Sequence, residues 1–348
     1  MTKSSDKSAP VFSKVEIGLV CDDGTSRAGL YGLTDLFTYA GDIAAARLSA
    51  EATLPVRLTR WQARGDSSDI ICVYDTAPGS PSAPAVLLLP GNTVAPSEDV
   101  SDSPLIPWLR QKHSQGTILA AVCGGVFILA RTGLLTGRQA TTHWAFTDQF
   151  AAQFPNVLTE TDSMVIDYGD VVTAGGVLAW ADLGLRLVER FLGPSIMAET
   201  ARYMNVDPPG REQRFYSGFE PRTKHGDEPI LKAQHWLAAN RESAVKVADA
   251  ARRAGLEQRT FLRRFVQATG MTPSEYQQRL RISRAREMLE FTRTSVDNIA
   301  LSIGYEDVGG FRRVFRKIVG LTPSDYRRRF SRLGRAATTH AIELARIR

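Results

Sequence analysis

Over roughly the first two hundred residues, short apolar runs alternate with stretches whose apolar positions recur every three or four residues. Val15–Cys21, Leu54–Thr59, Ile70–Tyr74, Ala85–Leu89 and Thr117–Val122 predict strands. Several of them have no polar face, as expected of strands covered by helices on both sides. Helical spacing predicts helices over Leu30–Arg47, Pro104–Ser114, Gly125–Thr132 and Ala145–Phe154. A hairpin-like pair, Met164–Asp167 and Val171–Ala174, precedes a long amphipathic helix over Val177–Phe191. This alternation predicts an open, mostly parallel α/β sheet. The pattern breaks across Asp207–Pro229, where Pro208, Pro209, Pro221 and Pro229 join Gly210, Gly218 and Gly226 in a linker or an arm draped over a domain surface. Everything beyond reads as helix. The chain therefore divides into an α/β domain (14–205), a linker (206–229), an all-α domain (230–331) and a basic tail (332–348). At roughly 150 residues per domain, 348 residues agree with two cores.

The helical part contains a repeat. Phe261-Leu-Arg-Arg-Phe265 returns as Phe311-Arg-Arg-Val-Phe315, fifty residues on, and Gly270-Met-Thr-Pro-Ser-Glu-Tyr276 returns as Gly320-Leu-Thr-Pro-Ser-Asp-Tyr326 at the same offset. Two motifs sharing one spacing indicate a duplicated unit. Each copy reads helix, glycine turn, helix: Val245–Ala254, Gly255 and Glu257–Ala268, then Val296–Ile303, Gly304 and Asp307–Val319. A short helix closed by glycine and followed at once by another is the helix-turn-helix pattern. With Phe261 at 0° and an advance of 100° per residue, Phe265 falls at about 40°, Arg259 at about 160° and Arg263 at about 200°. In the second copy, measured from Phe311, Arg313 falls at about 200° and Arg316 at about 140°. Both second helices thus turn arginines away from their aromatic anchors, where guanidinium forks reach guanine edges or phosphates. Gln258 and Arg312 adjoin these positions and complete the candidate DNA-contact set.

Charge sharpens this reading. The net +6 hides a split: from Asp227 onward there are 24 Lys/Arg against 13 Asp/Glu, or +11, whereas residues 1–226 have 19 against 24, or −5. The excess sits where a polyanionic partner, double-stranded DNA, would bind. The longest nearly apolar run, Thr117–Ala130, is too short to span a bilayer, and the opening MTKSSDKSAP lacks an apolar segment and reads as a frayed tail rather than a signal peptide. Cys21, Cys72 and Cys123 are few, odd in number and without metal spacing, which points to a reducing cytoplasm, no metal and no resident cofactor.

One further segment carries chemistry. Thr117-Ile-Leu-Ala-Ala-Val-Cys-Gly-Gly-Val-Phe-Ile-Leu-Ala130 reads as a buried strand, a cysteine on a sharp turn, then a helix. Small residues around a thiol are what a nucleophile elbow needs, and a helix N-terminus favours thiolate. His143, twenty residues on, is a partner for Cys123 if the chain is an enzyme; core packing is the competing reading for both. A pocket at the carboxyl ends of the strands would be walled by Cys123, Gly124, Gly91, Asn92, His143 and Trp144, with backbone N–H groups of Gly124 and Gly91 available to an oxygen and Trp144 and Trp180 offering aromatic faces.

AARRAGLEQRTFLRRFVQATGMTPSEYQQRLRISRAREMLE and VDNIALSIGYEDVGGFRRVFRKIVGLTPSDYRRRF together resemble the AraC/XylS-type DNA-binding domain. AAVCGGVFILARTGLLTGRQATTHW and VVTAGGVLAWADLGLRLVERFLG resemble the ThiJ/PfpI superfamily, with its flavodoxin-like, class I glutamine amidotransferase-like fold. Joined, they resemble the GlxA-type AraC/XylS-family transcriptional regulators. The resemblance implies two recognition helices in successive major grooves. It places Arg259, Arg263 and Arg313 at base-facing positions, although Val308, Gly309 and Gly310 stand where family members often carry polar residues, which favours phosphate anchoring by the second helix. It also implies activation, a homodimer formed through the first domain, and RNA polymerase as a partner. In the superfamily an elbow cysteine, a histidine and an acid from the first strand–helix loop form a triad; here Gly29 falls at the place of the acid, and Asp35 lies further along the helix. The leading reading is a regulator controlled by a small-molecule effector and not an enzyme. The alternative is a Cys-dependent hydrolase or lyase carrying a DNA-binding domain.

Overall fold

The computed structural model describes residues 15–22, 24–47, 55–64, 69–92, 103–243 and 245–331. The expected basic tail (332–348), the opening decapeptide, and Thr93 of the loop after Asn92 lie outside the described residues. The chain forms two compact units that divide between Gln213 and Arg214.

The first unit is built on β1 (Val15–Val20), α1 (Arg27–Ala46), β2 (Val56–Ala63), β3 (Ile70–Asp75), β4 (Val86–Leu89), α2 (Leu105–Ser114), β5 (Ile118–Val122), α3 (Gly125–Arg131), β6 (Gln139–Ala140), α4 (Thr147–Gln153), β7 (Leu158–Thr159), β8 (Val165–Asp167), β9 (Val171–Ala174), α5 (Ala179–Leu192) and α6 (Pro194–Tyr203). Seven strands form one sheet in the order β3-β2-β1-β4-β5-β9-β8, and β6 and β7 pair separately. The β2–β1, β1–β4, β4–β5 and β5–β9 pairs are parallel, while β3 and β8 lie antiparallel at the two edges. Central β4 and β5 are buried because Leu87 and Leu119 face one core while Val86, Leu88 and Ala120 face the other. That two-sided burial is what continuous apolar runs require.

Several boundaries move for identifiable reasons. β2 runs past Thr59 to Ala63 because it pairs with β3 through a bulge at Arg60/Trp61, and Arg60 lies over the Tyr31 and Tyr74 rings at 5.0 and 4.6 Å. β3 is not apolar on both faces; Cys72, Val73 and Tyr74 are exposed on an edge strand. The helix expected over Ala145–Phe154 is interrupted, since His143 caps a 3-10 turn at Trp144–Phe146 before α4 begins. The expected single linker is divided. Arg211 pairs with buried Asp182, and Gln213 buries its amide in the first unit, whereas the Phe215 and Ser217 carbonyls accept from Arg286 in the second. Pro229 belongs to the first turn of the next helix.

The second unit contains α7 (Glu228–Ala239), α8 (Val247–Arg253), α9 (Gln258–Thr269), α10 (Pro273–Phe291), α11 (Val296–Ser302), α12 (Val308–Val319) and α13 (Pro323–Phe330). The duplication is exact enough in sequence to repeat in packing. Phe261 and Phe265 lie 5.3 Å apart with tilted rings and Tyr276 meets Phe265 edge-on at 5.3 Å; Phe311 and Phe315 lie 5.7 Å apart and Tyr326 meets Phe315 at 5.6 Å. Gly270 and Gly320 close α9 and α12 at φ +78° and +83°, a left-handed conformation that favours glycine. Thr272 and Thr322 then cap α10 and α13. The long helix α10 serves both halves: Tyr276 and Leu280 belong to one core, and Ile282, Ala285 and Leu289 to the other.

Candidate functional site

The strand order reverses direction at β1 and β4, and open α/β sheets bind ligands outside the carboxyl ends of strands at such a switch point. A cavity of about 310 Å³ lies there, lined by Ser26, Pro90, Gly91, Asn92, Cys123, His143, Ala145, Phe146 and Val177. Ser26 follows β1, Pro90–Asn92 follow β4, Cys123 follows β5 and Val177 follows β9. Local folding brings these segments together. Ser26 N–H donates to the Gly91 carbonyl at 2.8 Å, Thr25 and Asn92 form a bridge, and the Ser26 hydroxyl caps α1 by accepting from Gly29 N–H at 3.2 Å.

Cys123 has φ +53°, an unusual left-handed conformation for a side chain of this size. Its backbone is held from two sides: its N–H donates to the Ala174 carbonyl at 2.8 Å, and its carbonyl accepts from the Thr142 hydroxyl at 2.8 Å. Gly91, at φ +91°, passes so near that a Cβ there would stand 2.8 Å from the Val122 carbonyl oxygen. The elbow geometry is thus present. The thiol is not activated, however. Burial pushes Cys123 up to about 11, with a hydrogen bond from the Gly124 backbone opposing it. This reverses the expectation that the helix N-terminus would favour thiolate; desolvation outweighs it.

The resemblance puts the triad acid at Gly29. A Cβ on Gly29 would lie 2.7 Å from the Pro90 carbonyl oxygen, so the backbone itself occupies that space. Asp35 is exposed and outside the lining. His143 accepts from Ala145 N–H through Nδ1 at 3.1 Å and packs beside Trp144 and Phe146, with centroids at 5.2 and 5.5 Å.

Of the residues expected around the pocket, the cavity gathers Cys123, Gly91, Asn92 and His143. Gly124 and Trp144 are not among its lining residues. Gly124 is the residue preceding α3 in a buried turn, and the Trp144 backbone N–H donates to the Gln213 Oε1 at 3.0 Å. Trp180 packs over Gly32 in the core. Sequence reasoning missed Ser26, Pro90, Ala145, Phe146 and Val177. Only Ser26, a capping residue ahead of a helical pattern, left a signal. It also missed Gln213, whose buried amide donates to the Thr142 and Thr161 carbonyls, each at 2.9 Å, and so holds the loop carrying His143.

In the second unit, α8 and α9 flank Gly255, and α11 and α12 flank Gly304, both left-handed. Phe261, Phe265, Phe311 and Phe315 are fully buried, while Gln258, Arg259, Arg263, Arg312, Arg313 and Arg316 are all exposed. Among the described residues Arg259, Arg263 and Arg316 enter no ion pair. Arg312 pairs with Asp297 at 2.7 Å and Arg313 with Asp307 at 3.2 Å. The Gly309-Gly310 pair has a local explanation: Asp307 caps α12 by accepting from both glycine N–H groups, each at 2.8 Å.

A flavodoxin-like sheet with a switch-point pocket and a pair of matched helix-turn-helix modules define a two-domain DNA-binding protein. The DJ-1/PfpI family matches residues 59–190, and a helix-turn-helix domain family matches residues 250–329. The HTH-type transcriptional regulator ArgR of Pseudomonas aeruginosa is 30% identical over 221 residues, covering 63% of this chain and 67% of that protein. The chain belongs to the AraC-type helix-turn-helix transcriptional regulators that carry a DJ-1/PfpI domain. The regulator CdhR of the same organism is 28% identical over 228 residues, 64% of this chain and 66% of that protein, so the match spans about two thirds of either relative. An isonitrile hydratase of Pseudomonas putida is 32% identical over 109 residues, 31% of this chain and 46% of that enzyme. Among the described residues no helix is long and apolar enough to cross a membrane.

Proposed function

We propose that the chain is a sequence-specific, cytoplasmic transcriptional activator that binds duplex DNA through α9 and α12 as a homodimer, contacts RNA polymerase, and is switched by a small effector in the Cys123 pocket. The observation that carries the DNA reading is the placement of Arg259 and Arg263: exposed, in no ion pair among the described residues, and opposite the buried Phe261 and Phe265. Guanidinium groups so presented match guanine edges and phosphates. Arg312, Arg313 and Arg316 on α12 favour phosphate contact, and Gln258 opens α9 where recognition helices meet bases.

The pocket supports binding rather than catalysis. A thiol pushed up to about 11 is almost wholly protonated at neutral pH, and the triad acid is replaced by backbone. The nine lining residues offer a hydroxyl, an amide, a thiol and an imidazole beside Pro90, Ala145, Phe146 and Val177, with no carboxylate, ammonium or guanidinium group. That chemistry suits a small molecule without net charge. The effector must bind the two functional conformations with different affinity.

The experiment is a competition binding assay of the full chain with promoter duplexes from its own genome. Preference over scrambled duplex that changes when a neutral amide or amino acid is added supports the proposal. Equal binding to both duplexes overturns it. Turnover of an isonitrile or amide by the full chain, lost in Cys123→Ser, would favour the enzymatic alternative.

A further inference from the structure

The two modules match in their cores and differ on their outer faces. On α9 the outward face carries Arg259, Leu262, Arg263 and Val266; fifty positions on, α12 carries Gly309, Arg312, Arg313 and Arg316. Leu262 and Val266 are 36% and 42% exposed and join neither the core of their own module nor its apolar rim. The apolar residues of α12 behave otherwise, since Val314 and Ile318 pack on their core. Leu262 and Val266 are therefore not needed to hold α9 in place. They form an apolar step alongside Arg259 and Arg263, which enter no ion pair among the described residues.

We infer that Leu262 and Val266 read the methyl groups of thymines, an apolar base contact that the phosphate-contacting α12 lacks. This rests on the DNA-binding reading above. The major groove is lined by polar base edges, and the C5 methyl of thymine is the apolar group that projects into it. An apolar step beside two arginines fits a groove segment that mixes thymine with guanine or phosphate. The face of α12 offers no comparable step. Gly309 has no side chain where Arg259 stands on α9, and Arg312 and Arg316 replace Leu262 and Val266. Its ion pairs to Asp297 and Asp307 are exposed, and such pairs are weak enough for a phosphate to displace the carboxylate.

The test uses the full chain and needs no prior operator. Duplexes are enriched from a random pool, the half bound by α9 is identified as the one whose preference relaxes in Arg263→Ala, and its thymines are replaced by deoxyuridine, which removes only the methyl. The expected result is a loss of about fourfold in affinity for each contacted methyl. The double variant Leu262→Ala/Val266→Ala then binds thymine and uracil duplexes equally. Arg316→Ala keeps the discrimination and lowers the salt slope by about one phosphate. Enrichment with no methyl effect, or discrimination that survives in the double variant, overturns the inference and leaves the DNA-binding reading standing. Failure to enrich any sequence overturns both.

Discussion

At residue scale the pocket is shaped by backbone more than by side chains. Gly91→Ala places a Cβ against the Val122 carbonyl in a left-handed conformation, which predicts a loss of about 1–3 kcal/mol in denaturant unfolding. Gln213→Leu strips hydrogen bonds from the buried Thr142 carbonyl and from the part-buried Thr161 carbonyl and Trp144 N–H, at about 1–3 kcal/mol for the buried carbonyl left unsatisfied, and should weaken effector binding measured by calorimetry beyond any loss in Tm. The thiol gives a third check. Alkylation of Cys123, followed site by site by mass spectrometry, should rise toward pH 11. Half-maximal reactivity of Cys123 below pH 8 would revive the nucleophile. Cys123 and His143 were legible because thiol and imidazole are rare and stood in a strand–turn–helix pattern. Phe146 and Val177 were not, since an apolar side chain facing a cavity has the same sequence signature as one facing a core. Gln213 was hidden more completely, being a single amide in a stretch that reads as linker.

At element scale, strands and helices with unambiguous faces were readable. β5 and β9 have no polar side, and α9 and α12 place aromatic residues at i and i+4. Edges were less so: β2 continues through Arg60 and Gln62 because pairing on both sides satisfies its backbone, a tertiary effect that local pattern does not carry. The antiparallel orientation of β3 and the interruption before α4 have the same origin, since neither a partner strand nor a side-chain cap is visible in hydrophobic spacing. Asp227 illustrates a tertiary contact that stabilises an element. It caps α7 and takes a two-pronged hydrogen bond from Arg264 on α9, which holds its carboxyl below the usual aspartate range. A depressed folded-state value means that the pairing contributes stability above the unfolded aspartate range, and that this is lost as pH falls through the folded value. Thermal unfolding followed from pH 7 to pH 2 should therefore show part of its acid-side decline vanish in Asp227→Asn. An unchanged profile would show that the pairing contributes nothing.

At the scale of the whole molecule, the division of charge anticipated the division of labour. The acidic α/β part carries a pocket whose described lining has no carboxylate, ammonium or guanidinium group, and the basic helical part carries guanidinium groups on two repeated faces. The repeat was legible because the glycine turns, the threonine caps and the aromatic anchors must recur wherever the same packing recurs. The different faces of α9 and α12 were less so, because surface residues are free of that constraint. The account depends above all on both helices entering duplex grooves. Hydroxyl-radical footprinting of the full chain on an enriched duplex tests this directly. Two protected segments about one helical turn apart, on one face of the duplex, are predicted, with the first lost in Arg259→Ala/Arg263→Ala. Uniform cleavage at every salt concentration, or a footprint unchanged in that variant, would contradict it.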